Sequence, residues 1–416
     1  MVRLLLMLFG ADRMRRLGVV MLGAGGLWAV LGFLTMLDAV DGITLLAVDG
    51  FAALLLIQGI VALAAAAIHR RIAWRFNLVR GLALSVIALL ILGWPVQFWI
   101  ANYFLFALAF LLDGLVRIGL GLSLRFRGWQ AAVRGGAVEI VLAGLVWADW
   151  PLDECITIPF CLGLAMILGG TMVMRAGKAL RRLRPGQSLL TLPIFYDQPA
   201  MAALPPLAGN APAAQAEPMV LRVWLPPETM RRRRRLPVFE RYVVALNRRG
   251  LASTGHASLE QGQAVYISHY PQDDPDLSPS DFLRWVRQAG ATPGYFRPDA
   301  ASETQVWRRY RPRQLRLLHY SPARLQAFWS AYRQDDGYNP VSRSCSVAAA
   351  LALDAALEGV LADRPFVPTL LRLLMSNEVW LAAMLRRRAE ALAWTPGILW
   401  DYANLLNGVV AATARR

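Results

Sequence analysis

Three side chains in the second half of the chain have the types and order for thiol chemistry: His256, His269 and Cys345. The chain holds four histidines and three cysteines in 416 residues, so their clustering in one region carries information. Cys345 stands where the loop Asp335-Asp336-Gly337-Tyr338-Asn339-Pro340 gives way to Ser344-Cys345-Ser346 and a small-residue run. That run reads as a helix over 345–358, ending at Gly359. A thiol in the first turn of a helix feels the positive end of the dipole, and a nearby imidazole lowers its pKa further. The result is a thiolate nucleophile with a base beside it.

The histidines are placed by a hairpin. Residues 254–271 read as two strands joined at Gly262-Gln263, a Gly-X pair suited to a type II′ turn. If those two residues form the loop, Gln261 faces Ala264, and five residues further along each strand His256 faces His269. Direct cross-strand neighbours lie roughly 5 Å apart at Cβ. In that register one histidine serves as base toward Cys345 while the other orients it. Plainer readings stand beside this one. A cysteine at the head of an alanine-rich helix is often core, and two histidines with one cysteine form a metal site only with a fourth ligand, which the sequence does not offer. No cofactor is expected. His319, on another strand, reads as structural.

At these residues the region resembles the circularly permuted papain-like superfamily, which includes permuted NlpC-type peptidases and lecithin:retinol acyltransferase-like enzymes. The resemblance covers roughly residues 219–360. It implies an α+β domain with His256 as base, His269 as orienting residue and Cys345 as nucleophile, acting on amide or ester bonds of a peptide or lipid substrate. Many relatives carry asparagine just before the cysteine, whereas this chain has Ser344.

The elements that must position these residues come in a recognisable order. Strands are expected at 219–225 and 314–320, an extended or helical piece at 237–247, and helices at 279–289 and 321–333. Residues 363–416 read as amphipathic helices broken at Pro365, Pro368 and Pro396-Gly397, covering the domain or lying on a membrane. An Ala/Pro-rich stretch, 191–218, reads as a linker. Arg231, Arg232, Arg233, Arg234 and Arg235 are consecutive, and each basic residue near anionic lipid contributes on the order of 1 kcal/mol. The same run also fits a solvated loop. No aromatic-basic interleaving points to nucleic acid.

Before the linker the composition changes. The whole chain is 56 % hydrophobic and 17 % charged with a net charge of +16, and almost all the apolar excess precedes Arg181. Apolar runs at 17–36, 44–68, 79–94, 97–123, 132–149 and 156–176 suit about six transmembrane helices. Basic residues gather in alternate loops, such as Arg70, Arg71 and Arg75, and at 175–184, which places both termini in the cytoplasm of an inner membrane. Arg13, Arg15 and Arg16 precede the first run, and further runs follow it, so a cleaved leader is not expected. Asp113 and Arg117 share a face of the fourth run, as a mutual pair or a functional one.

Residues 80–124 and 134–180 repeat one unit, a helical hairpin with Trp94-Pro95 or Trp150-Pro151 at its bend. Three such short-looped hairpins resemble the HdeD-like family of small bacterial membrane proteins, associated with acid stress, over roughly residues 10–182. The whole then reads as a multi-domain chain: a polytopic all-α bundle at 1–190, a linker at 191–218, a permuted papain-like domain at 219–362 and C-terminal helices at 363–416. The implied function is a membrane-anchored cysteine hydrolase or acyltransferase. The alternative is a non-catalytic membrane stress protein whose second half binds a partner or lipid.

Overall fold

In the computed structural model the described residues are 1–41, 45–68, 74–92, 99–124, 129–148, 154–193, 201, 204–207, 214–225, 245–246, 252–253, 255–273, 279–286, 290–308, 310–391 and 393–414. The Arg231–Arg235 run, most of the piece expected at 237–247 and most of the expected linker lie outside them. The protein is mostly helical and contains a small antiparallel sheet. It divides into two compact units, one of Leu17–Ser123 with Gly128–Arg181, the other chiefly of Met1–Arg16 with Arg182–Arg416.

Helix α1 (Val2–Phe9) opens the chain. It is followed by α2 (Ala11–Asp41), α3 (Leu45–Ile68), α4 (Trp74–Ile91), α5 (Trp99–Leu124), α6 (Trp129–Trp147) and α7 (Glu154–Arg181). Alanine and leucine, both strong helix formers, dominate these segments. Among the described residues one stretch, Ala11–Leu37, is long and apolar enough by composition to cross a membrane. Large apolar side chains on these helices face outward, including Val19, Leu27, Val79, Leu115, Val141 and Met172.

Glycines set how closely the helices approach. A Cβ on Gly25 of α2 would lie 2.7 Å from the carbonyl oxygen of Gly170 on α7, and one on Gly32 would lie 2.6 Å from that of Gly163. With Gly18 against Gly177, these form a seven-residue-spaced antiparallel seam in which the two backbones touch. Gly114 of α5 and Gly136 of α6 make the same contact. Arg117 pairs with Asp113 at 2.7 Å and with Glu139 of α6 at 3.2 Å, so the pair expected from the sequence is a three-member cluster.

The second unit is built around β1 (Ala214–Trp224). Short strands β2 (Ala245–Leu246) and β3 (Ala252–Ser253) pair with each other. Next come β4 (His256–Gln261), β5 (Val265–Ile267), β6 (His269–Pro271), helix α8 (Pro279–Val286), β7 (Gly294–Phe296), helix α9 (Ala300–Val306) and β8 (Arg313–His319). Helices α10 (Pro322–Tyr332), α11 (Cys345–Leu357), α12 (Phe366–Met375), α13 (Asn377–Ala391) and α14 (Pro396–Ala414) complete the unit. The main sheet runs β5-β4-β1-β8, antiparallel at each pairing, while β6 and β7 form a separate ribbon.

All thirteen residues of helix α11 are buried and all but Ser346 and Asp354 are apolar, as expected for a helix at the centre of a core. It packs against β4, α10, α14 and α1. Helix α14 also lies on β1 and β8, so the C-terminal region is part of this core.

Residues 1–16, expected with the membrane half, belong to this unit instead. Leu4, Leu5, Leu6, Met7, Leu8 and Phe9 are all buried, and burying each such side chain stabilises by about 1.5–3 kcal/mol. The amides of Gly359 and Leu361 donate to the carbonyls of Met7 and Leu8, each at 2.9 Å. At Gly10, with φ of 80°, a Cβ would lie 2.7 Å from Cα of Gly359. The segment after α7 is fixed to the same end of α11. Glu358 accepts from Leu189 N at 2.7 Å and Ser188 Oγ at 2.5 Å, and pairs with Arg324 at 3.0 Å. Both chain segments that adjoin the apolar helices therefore grip the C-terminal end of α11. Leu8→Ala is expected to destabilise this unit by about 2–5 kcal/mol, read as a lowered unfolding midpoint in the intact protein. An unchanged midpoint would show that α1 is not integral to the core.

Candidate active site

Cys345 is the first residue of α11, and Ser344 is its N-cap, with the serine hydroxyl accepting from the amide of Val347. Asparagine and serine are comparably good N-caps, so the departure at Ser344 keeps the helix start intact. The preceding loop is clipped by Arg343, whose guanidinium donates to the carbonyls of Gly337 at 2.8 Å, Tyr332 at 2.7 Å and Asp335. The same group lies 4.1 Å from the Tyr332 ring centroid. These contacts fix where the thiol emerges.

His256 begins β4, opposite Trp224 of β1. It is 3 % exposed, against 7 % for Cys345, and it interacts with the Cys345 thiol by charge and by hydrogen bond. Its Nε2 lies 3.2 Å from Oε1 of Glu303 and 3.0 Å from Oγ of Ser268. The imidazole stacks on Tyr270, with centroids 4.2 Å apart, and Trp224 and Trp307 complete an aromatic wall.

Glu303 is the residue the sequence reading missed. It sits on α9, which is N-capped by Asp299, and it is 0 % exposed. Its carboxylate accepts from His256, from the hydroxyls of Ser268 and Tyr270, and from Tyr266 at 3.0 Å. Trp307 Nε1 in turn donates to the Tyr270 hydroxyl at 2.8 Å. A buried carboxylate survives ionised when donors surround it in this way. Burial alone raises its pKa, but the hydrogen bond and charge of His256, then Ser268 and Tyr270, bring it down to about 2.

The charges follow from that arrangement. Burial lowers the His256 pKa, yet the Cys345 thiolate and then Glu303 outweigh it and raise the value to about 9. Burial raises the Cys345 pKa, and the charge and hydrogen bond of His256, the Ala257 amide and the Ser346 hydroxyl bring it below the ordinary thiol value. These opposed shifts favour a thiolate facing an imidazolium over the neutral pair. The amides in the first turn of α11 lack intrahelical acceptors, and that of Val347 is taken by the Ser344 hydroxyl.

His269 does not take the orienting role expected of it. The hairpin pairs Gln261 with Val265, Glu260 with Tyr266 and Leu259 with Ile267, so its turn has three residues, 262–264, with Gly262 at φ 50°. One residue of slip moves a side chain to the other face of a strand. Ser268 and Tyr270 thus arrive at His256, while His269 turns to a different set of partners. Its Nε2 meets the Asp336 carbonyl at 3.1 Å and its Nδ1 the Tyr332 hydroxyl at 3.3 Å. Burial, with Arg343 adding to it against the Asp336 hydrogen bond, lowers its pKa to about 4, so it is neutral. Phe296, Tyr332 and Tyr338 enclose the ring. His319 lies at the end of β8, paired with Ala214.

No protein-family model, curated protein or solved structure matches the chain. No group of His, Cys, Asp and Glu suited to a metal ion occurs among the described residues.

Replacing Glu303 by Gln removes the negative charge that holds the His256 proton. Glu303→Gln is expected to slow iodoacetamide alkylation of Cys345 at about pH 6 by about tenfold or more, with His269→Gln close to wild type. Equal rates in wild type and Glu303→Gln would remove Glu303 from the site.

Proposed function

We propose that the protein is a membrane-anchored cysteine hydrolase or acyltransferase acting on amide or ester bonds. The observation that carries this reading is the buried line Cys345, His256, Glu303, with the thiol pKa pulled down and the imidazole pKa pushed up to about 9. Structural cysteines in apolar surroundings shift the other way.

The first step is attack of the Cys345 thiolate on the substrate carbonyl carbon. The new S–C bond forms as the C=O π pair moves to oxygen, and the first-turn amides of α11 stabilise that oxyanion. As the carbonyl re-forms, the bond to the leaving nitrogen or oxygen breaks and His256 supplies the proton that the leaving group needs. The acyl group is now a thioester on Cys345. In the second half His256, now neutral, takes a proton from water, an amine or an alcohol, which attacks the thioester and expels the thiolate. Glu303 holds the imidazole orientation and its charge throughout, and Ser268 and Tyr270 hold Glu303.

The membrane half of the proposal has α2–α7 as six spans, resembling the HdeD-like bundle, with both termini cytoplasmic by the distribution of basic loops. The outward apolar side chains and the backbone-to-backbone glycine seam of α2 and α7 support a bilayer setting, since such apolar surface is unfavourable in water.

One observation favours a second reading. Cys345 is nearly closed to solvent, which suits a binding module that never turns over. Exposure of the purified protein to an activated ester, followed by acid quench and intact mass, separates the two. The expected result is one acyl adduct on wild type and none on Cys345→Ser. Its rate should rise as the thiol ionises and then level off, because the leaving group of an activated ester departs without a proton. Absence of any adduct, together with unchanged cellular phenotype in Cys345→Ala, would replace the enzyme by the binding module.

A further inference from the structure

Helix α12 presents Val367, Leu371 and Met375 to solvent at 62 %, 58 % and 55 % exposure. The i, i+4, i+8 spacing aligns them in one ridge, while Thr369 and Leu373 are buried on the opposite side. Met384 of α13 is exposed as well, and Arg372, Arg387 and Arg388 are exposed on the same two helices. An apolar ridge accompanied by arginines is the pattern of a helix that lies in the headgroup region of a bilayer.

The position of α12 in its unit identifies the occupant of that ridge. Phe366, its first residue, packs against Phe9 in a tilted pair with centroids 4.9 Å apart, and the Arg13 guanidinium sits 5.6 Å from the Phe366 ring. Arg13 also donates to the carbonyls of Ala362 and, at 2.6 Å, Arg364. Arg13 in turn stands at the foot of the apolar helix Ala11–Leu37, and the last charged residue before its apolar stretch is Arg16. From Arg13 to Leu17 is about 6 Å along a helix at 1.5 Å per residue. The start of α12 thus packs on Phe9 and Arg13, residues that lie a few positions in sequence before the apolar stretch beginning at Leu17.

We propose that α12 is an interfacial helix, with Val367, Leu371 and Met375 sunk into the headgroup and upper acyl region of the membrane and Arg372, Arg387 and Arg388 facing anionic headgroups. This rests on Ala11–Leu37 being a span. Such a helix lies about 5–10 Å into the headgroup and acyl boundary, and it gives the catalytic unit a second, non-covalent hold on the bilayer. The contact is independent of whether Cys345 is a nucleophile.

The test uses the full chain in vesicles of phosphatidylcholine and phosphatidylglycerol. An environment-sensitive fluorophore is placed on Leu371→Cys or Met375→Cys, with Gln334→Cys as an exposed loop reference, after Cys155, Cys161 and Cys345 have been replaced by serine. Vesicle flotation after an alkaline wash reports the span separately. The expected result is about threefold or greater quenching at 371 and 375 by a lipid-borne quencher relative to position 334, with aqueous iodide showing the reverse order. Iodide quenching at 371 and 375 equal to that at 334 in floated vesicles would overturn the proposal. Protection from both quenchers, with self-quenching that grows with protein density, would overturn it in favour of a second copy of the chain. Failure of flotation would overturn it by removing the span.

Discussion

The site depends on one buried carboxylate. Glu303 is removed from water, and an ionised carboxylate in that position is costly unless donors surround it. His256, Ser268, Tyr266 and Tyr270 do so. Because three of these donors are hydroxyls that can only hydrogen-bond, the balancing positive charge falls on His256. The neutral imidazole takes the Cys345 proton and the imidazolium so formed stabilises the thiolate, and the low polarity behind the Tyr270, Trp224 and Trp307 rings strengthens each of these attractions. Charge placed on α9 thus determines the ionisation of a thiol on α11.

The fold supplies the geometry for this. Pairing of β4 with β1 puts His256 beside Trp224, the three-residue turn delivers Ser268 and Tyr270 to the histidine, and the Ser344 cap starts α11 at the cysteine. The far end of α11 is where α1 and residues 188–189 attach, through Gly359 and Glu358. A second buried network, in which Tyr402 donates to Asp354 at 2.7 Å and Arg386 pairs with it at 3.1 Å, ties α14 and α13 to the same helix. One helix therefore carries Cys345 at its start and the connections to the apolar segments at its end.

Much of this was legible in the sequence where local chemistry decides. The helix start at Cys345 follows from Ser344 and an alanine-rich run, and β8, α8, α10 and α11 fall close to the expected ranges because apolar periodicity and capping residues mark them. His256 and Cys345 were found through residue type and order. The hairpin register was not legible, because Gly262 at the first loop position serves a two-residue or a three-residue turn equally well, and that single residue exchanged His269 for Ser268 and Tyr270. Glu303 was hidden for another reason. It lies in a seven-residue helix among Ser302, Thr304 and Gln305, where a glutamate ordinarily faces water, and the pairing that buries it comes from strands more than thirty residues away. Residues 1–9 read as the approach to a membrane span because their leucines carry no signal of which apolar surface will cover them.

The central claim, that Glu303 and His256 hold the Cys345 thiol below its ordinary range, is tested most directly by the ultraviolet thiolate absorbance of the purified protein as a function of pH, taken as the difference between wild type and Cys345→Ser. The account expects a thiolate signal that titrates below the ordinary thiol range. A signal that appears only within or above that ordinary range would contradict it.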